Sequence, residues 1–175
     1  MPSGRTHDRI TLWGIPLILT AAFYITLDIP LTVIVCIGFL IGGFMMGPDL
    51  DIHSVQYRRW GPLRWIWLPY QRALKHRSRL SHGPIIGTVI RVLYFGCWVG
   101  LFGLIGVKLL NSLWDAQLTW YDLRNTVRFS TMTFFKEWMT LIIGLELGAL
   151  SHYVSDHLGS KVGKRRRGKG KGRRR

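Results

Sequence analysis

Apolar residues along this chain gather into long stretches instead of alternating with polar ones, and four stretches stand out. Residues 10–27 and 29–47 each approach the roughly 20 residues that cross a hydrocarbon core, and the tight Asp28-Ile29-Pro30 connection makes them a predicted helical hairpin. Residues 84–110 form a longer stretch. Arg91 and Lys108 lie near its ends, where long side chains snorkel to headgroups, and Val92 to Val107 carries no charge. The fourth, from Trp138 to about Val154, has Glu146 in its middle and Lys136 and Glu137 before its start, which predicts a short, partly protein-buried span.

Arg5 and Arg9 ahead of the first stretch mimic a secretory signal. No small-x-small cleavage site ends the stretch and a second apolar run follows at once, so an uncleaved span is expected. The length, 175 residues, suits one domain. With 48% hydrophobic residues beside a net charge of +15, apolar and basic residues must be segregated, the mark of a membrane protein with basic flanks. Cys36 and Cys97 sit alone in separate spans, which argues against a disulfide framework or a thiolate metal site.

Four crossings put the amino terminus, residues 48–83 and the carboxy-terminal tail on one side. That side collects 20 of the 24 Lys and Arg: Arg5 and Arg9, seven in 48–83, ten from Lys161 onward, and nearby Arg91. The positive-inside rule makes it cytoplasmic. All six histidines fall there too, with Asp8, Asp49, Asp51 and Asp156, so separate parts of the chain bring His and Asp to one membrane face.

The local spacings suit ligation. His152 and Asp156 are four apart at the end of a helical segment and project from one face, whereas His157 points elsewhere. Asp49 and Asp51 follow the Pro48 that closes the second span; Asp49 as a helix cap is the plainer alternative. His76 and His82 are out of phase for one helical face, so a break between them is required for both to face one centre. His7 before the first span reads either as a ligand or as an interfacial residue, His53 and His157 as surroundings, and Glu146 as a partner for Arg91 or a functional carboxylate. Imidazole and carboxylate ligands without Cys suit a divalent metal, zinc, manganese or iron, often in sites holding more than one ion.

The order of these motifs, His7 in SGRTHDRIT, then PDLD, then HRSRLSH, then GALSHYVSDHLGS, resembles the YdjM-like family of inner-membrane metal-dependent hydrolases. It is similar above all to a cyanobacterial family of predicted metal-binding membrane proteins, over roughly residues 3–160. The resemblance implies an all-helical bundle distantly like zinc-dependent phospholipase C, in a bacterial inner or cyanobacterial membrane, with His7, Asp49, Asp51, His76, His82, His152 and Asp156 as metal ligands. Ser78 stands where the relatives usually have Gly, and Gly83 where they have Ser, which bears on catalytic geometry more than on the metal. Arg77 and Arg79, beside two ligands, then belong to an anionic substrate or lipid phosphate; as ordinary positive-inside residues they would have no such role.

Two further segments remain. In RRWGPLRWIWLPYQR, residues 58–72, aromatics interleaved with Arg are expected at headgroup depth, with base stacking as the alternative. The tail, 161–175, has ten basic residues and nothing to build a core from, so a disordered, polyanion-attracting segment is expected, its partner an anionic lipid or a nucleic acid. The expected whole is an all-α integral membrane helical bundle over residues 1–160, with about four membrane-embedded helices and a metal site at the cytoplasmic face. Its expected chemistry is metal-dependent hydrolysis of a phosphoester or other membrane-proximal substrate, with Asp49 or Asp51 as the base. A non-catalytic structural or sensing metal protein, and a membrane tether for nucleic acid, are the alternatives.

Overall fold

The computed structural model describes the backbone of residues 4–76 and 78–172 and the side chains of residues 6–76, 78 and 80–156. All regular structure among them is helical. Helices α1 (Gly4–Thr26) and α2 (Ile29–Phe44) form the expected hairpin. Leu27 makes the turn with φ of 50°, and Asp28 caps α2 by accepting the Leu31 N–H at 2.9 Å, with Pro30 in the first turn. After a 3-10 turn at Pro48–Asp51 come the short α3 (Val55–Arg59), a second 3-10 segment (Gly61–Trp67) and α4 (Leu68–Ala73). The chain leaves helical geometry at Leu74 and re-enters it at α5 (Arg79–His82), which supplies the break required between His76 and His82. Three long elements complete the chain: α6 (Ile86–Trp114), α7 (Trp120–Thr133) and α8 (Phe135–Gly172).

Three stretches, Thr6–Thr26, Ile29–Asp51 and Ile86–Trp114, are long and apolar enough to cross a membrane by length and composition. The fourth expected span is not among them: Lys136, Glu137 and Glu146 lie in the first four turns of α8 and keep it below that mark. Two further departures concern segments of uneven composition. Residues 120–133, outside the four apolar stretches, form α7, started by a capping box in which the Thr119 hydroxyl accepts from Asp122 N–H and Asp122 accepts from Thr119 N–H. Over 161–172, where no ordered structure is expected, the backbone continues as α8; Lys and Arg have good helix propensity, and extension of an existing helix needs no new nucleus.

The most extensive helix contact is between α2 and α8. Each carries two glycines four apart, Gly38 and Gly42 facing Gly144 and Gly148. A Cβ built on any of them would lie 2.2–2.6 Å from a backbone oxygen of the opposite helix, so this close approach exists only because those side chains are absent.

A packed core sits at one end of the long helices. Leu50, Ile66, Trp67 and Tyr70 are buried there with Met46, Tyr57 and Leu145. Trp67 meets Trp60, Tyr70, Tyr94 and Phe95 ring to ring, and the Tyr94 hydroxyl donates to Ile66 C=O. The Trp67 and Tyr70 rings, expected at headgroup level, are covered by protein and fill this core, whereas Trp65 remains partly exposed against Trp98 and Phe102. Apolar side chains of this size, about 2 kcal/mol or more each when fully buried, hold the 48–74 segment rigidly against the ends of α2, α6 and α8.

Candidate metal centre

Four elements bring the predicted residues together beside this core. The 3-10 turn after α2 carries Asp49 and Asp51, α1 carries His7, α8 carries His152 and Asp156, and the 74–82 segment carries His76 and His82. Pro48 fixes the turn, and Leu50 between the two aspartates is fully buried, which anchors the turn while both carboxylates lie on the side of the histidines.

Two clusters result. In the first, the Nε2 of His7 is 3.4 Å from Asp156 Oδ1, and His152 Nε2 is 4.0 Å from Asp156 Oδ2 and 3.1 Å from Asp49 Oδ2. The His7 and His152 rings stack with centroids 3.8 Å apart. In the second, His76 Nδ1 is 2.9 Å and His82 Nδ1 3.4 Å from the two oxygens of Asp51. Asp49 stands between the clusters, its Oδ1 lying 3.6 Å from His82 Nε2. Ligands about 2.0–2.2 Å from a tetrahedral ion lie roughly 3.3 Å from one another, the range seen here. His7, His152 and Asp156 form one group able to hold an ion, and Asp51, His76 and His82 another.

The donor set passes a stricter check. The side chain of Asp51 is wholly buried, and its Oδ2 has no hydrogen-bond partner among the described residues. The nearest nitrogen to that oxygen is His82 Nδ1 at 3.4 Å, and a buried carboxylate oxygen with no hydrogen bond is costly unless a cation, a proton on His82 or a metal ion, stands beside it. His82 carries the complementary signature: burial pulls its pKa down, but the Asp49 and Asp51 carboxylates outweigh burial and raise it to about 9. Without metal, a proton supplies the positive charge that this cluster needs.

Surrounding groups orient the imidazoles. Ser155 hydrogen-bonds His7 Nδ1 while His7 Nε2 faces Asp156; the Ser81 hydroxyl lies 3.0 Å from His82 Nδ1, the nitrogen that also faces Asp51, while His82 Nε2 faces Asp49. Arg91, fully buried, donates to Ser81 C=O at 2.9 Å and to Thr88 Oγ1 at 2.8 Å, locking α5 onto α6. Glu146 accepts the Ile85 N–H at 2.9 Å, and Ile85 has φ of 64°, a costly value for a β-branched residue, at the start of α6. Of the two readings of Glu146, the ion pair with Arg91 is absent among the described residues: Glu146 accepts a backbone N–H, and Arg91 donates to the Ser81 carbonyl and the Thr88 hydroxyl.

All seven expected ligands thus converge. His53 does not: it is exposed and packs on Tyr57. Of the two cations expected to meet substrate, Arg77 lies outside the described residues, as does the side chain of Arg79, and the His157 side chain also lies outside them. A cleft of about 240 Å³ opens onto the first cluster, with Asp49 and His76 also on its wall, and the arginines lining it are Arg58 and Arg59. Arg59 is fixed by Asp8 at 2.6 Å and by Phe44 C=O. Sequence reasoning missed Ser81, Ser155 and this arginine pair. The serines are next to ligands in the sequence and were readable as their supports; the arginines were not, because only the fold of 48–60 turns them towards the cleft.

Residues 2–166 match the family described as uncharacterized metal-binding protein (DUF2227). The chain belongs to that family. An uncharacterized protein of Aquifex aeolicus (strain VF5) is 32% identical over 133 residues, covering 72% of this chain and 89% of its own. No solved structure matches. The family's description agrees with the donor geometry at the point they share, metal binding.

Proposed function

We propose that this member of the metal-binding family is a membrane-embedded, metal-dependent hydrolase whose site faces the cytoplasm. The observation that carries the reading is the pair of His/Asp clusters with Asp49 between them, more donors than one closed four-ligand site uses, open to a cleft. A structural ion is typically enclosed by its ligands, whereas catalysis needs a position left for water. Membrane embedding is supported by the outward-facing apolar surface: the apolar stretches of α6 and α1 are almost entirely unburied, and Trp13, Tyr24 and Ile25 are each 82% exposed.

His7, His152 and Asp156 would hold one divalent ion and Asp51, His76 and His82 a second. A metal bound there supplies Lewis acidity, polarising the scissile group and lowering the pKa of water. Asp49 takes the proton of the attacking water: of the two carboxylates expected in that role, it is the one on the cleft wall. Asp51, buried between His76 and His82, serves as a ligand. Ser155 and Ser81 keep His7 and His82 turned to the site.

The test is metal analysis and phosphoester turnover of the purified protein in nanodiscs. Asp49→Asn should retain most metal while losing at least 100-fold in turnover, and chelation should abolish activity in the wild type. A metal-loaded wild type with no turnover on lipid, nucleotide and nucleic-acid phosphoesters would overturn the hydrolase reading and leave a metal-binding protein.

A further inference from the structure

The cleft has a charge pattern that selects its ligand. Its walls hold three carboxylates, Asp8, Asp49 and Asp156, and two guanidinium groups, Arg58 and Arg59, so with the histidines neutral, as ligation requires, the lining sums to −1. A single divalent ion in the His7, His152 and Asp156 group turns that to +1. The two arginines are not equivalent. Arg59 is engaged by Asp8 at 2.6 Å and Phe44 C=O at 3.1 Å, and its guanidinium lies 5.0 Å from the Phe44 ring centre, so its donors are largely used and its position fixed. Arg58 is exposed, lines the same cleft, and has no carboxylate or carbonyl partner among the described residues.

We propose that Arg58 is the anion-binding and specificity-determining residue of the site, and that the group it binds is a phosphate, held between the Arg58 guanidinium and the metal. This names the substrate class of the hydrolase reading and rests on it. A guanidinium fork with no partner among the described residues matches two phosphate oxygens, and because Arg58 lines the same cleft as His7, His152 and Asp156 it can hold one face of a tetrahedral anion while a metal there would polarise another. A divalent ion also raises the charge of the lining by two, so phosphate binds better once the metal is in place. The phosphate can belong to a lipid headgroup or to a soluble ester, because the cleft opens at the end of the long helices where both are present.

The experiment uses full-length protein in phosphatidylcholine nanodiscs, loaded with zinc, and titrates inorganic phosphate calorimetrically. Arg58→Gln should weaken phosphate binding at least 10-fold with zinc content unchanged. Arg64→Gln, which removes an exposed cation outside the cleft, should change it less than 2-fold. Metal-free wild type should bind phosphate at least 10-fold more weakly than the loaded protein. Adding phosphatidic acid to the nanodisc separates the sources: competition with inorganic phosphate in the wild type, lost in Arg58→Gln, assigns a lipid headgroup, and its absence assigns a soluble phosphate. Equal phosphate affinity in wild type and Arg58→Gln, with zinc bound in both, overturns this inference alone. A wild type that takes up no zinc overturns the metal reading beneath it.

Discussion

Replacing Gly42 by alanine should disable the metal centre from a distance. The added Cβ would stand 2.2 Å from the Leu145 carbonyl oxygen and 2.9 Å from the Leu145 Cα, both backbone atoms of α8 that no rotamer change can move. Carbon to oxygen contacts settle at about 3.3 Å or more, so α2 and α8 must part by about 1 Å. Such overpacking costs about 1–3 kcal/mol. The larger consequence lies at the end of this helix pair, where α1, packed against α2, brings His7 to Asp156 of α8, 3.4 Å apart. Metal–ligand distances tolerate about 0.2 Å, so a 1 Å separation is several times what the donor set accepts. Metal affinity should fall 10- to 100-fold, the loss expected when ligand orientation is disturbed. The assay is competitive metal titration with a chromophoric chelator, alongside a thermal melt. Gly100→Ala on α6, where an added Cβ meets nothing within 4 Å, is the control and should bind metal as the wild type does. If Gly42→Ala and Gly100→Ala bind metal equally well, the glycine contact does not set the geometry of the centre.

His152→Ala and Asp156→Ala should each remove most metal from the first cluster, measured by elemental analysis, while His53→Ala should leave metal content unchanged. Because the His82 pKa is raised to about 9 in the metal-free protein, metal must displace a proton there at neutral pH. Apparent affinity should therefore rise up to about tenfold per pH unit below 9 and level off above it, with proton release seen by calorimetry in buffers of different ionisation enthalpy. Reporter fusions after Gly61 and after Arg175 should both report cytoplasm; a signal from the opposite side for either would contradict the orientation.

The hairpin and the break before His82 were legible from local signals, apolar run length with the Asp28-Ile29-Pro30 connection and the phase of His76 against His82; i, i+4 spacing pointed to His152 and Asp156, while the full set of seven donors, which the fold brings together, came from the motif order and the resemblance it carries. The burial of Trp67 and Tyr70 in protein was not legible, because Trp and Arg interleave in the same way at a membrane interface and over a protein core; only the tertiary contact of Trp67 with Tyr94 and Phe95 reveals the core. The glycine pairs at 38/42 and 144/148 were legible as a small-residue spacing, but which helices they would join was not, since such a spacing names no partner. The identity of the cleft arginines depended on how 48–60 folds against Gly43 and Phe44, through the Gln56 amide on Gly43 C=O and Arg59 on Phe44 C=O, contacts with no periodic signature.

The two His/Asp clusters close at different times as the chain is made. Asp51, His76 and His82 are all present once residue 82 has been synthesised, whereas His7 waits for Ser155 and Asp156, 148 and 149 positions later. At about 5–20 residues per second, the interval between residues 82 and 156 is on the order of 4–15 s. Through that interval a growing chain offers a three-donor half-site without α8 to cover it. An ion bound there in that interval would be selected by the free concentrations in the cell and the general affinity order of divalent ions, not by the finished geometry. Selectivity arrives only with the last helix, and an ion captured early must be exchanged or kept.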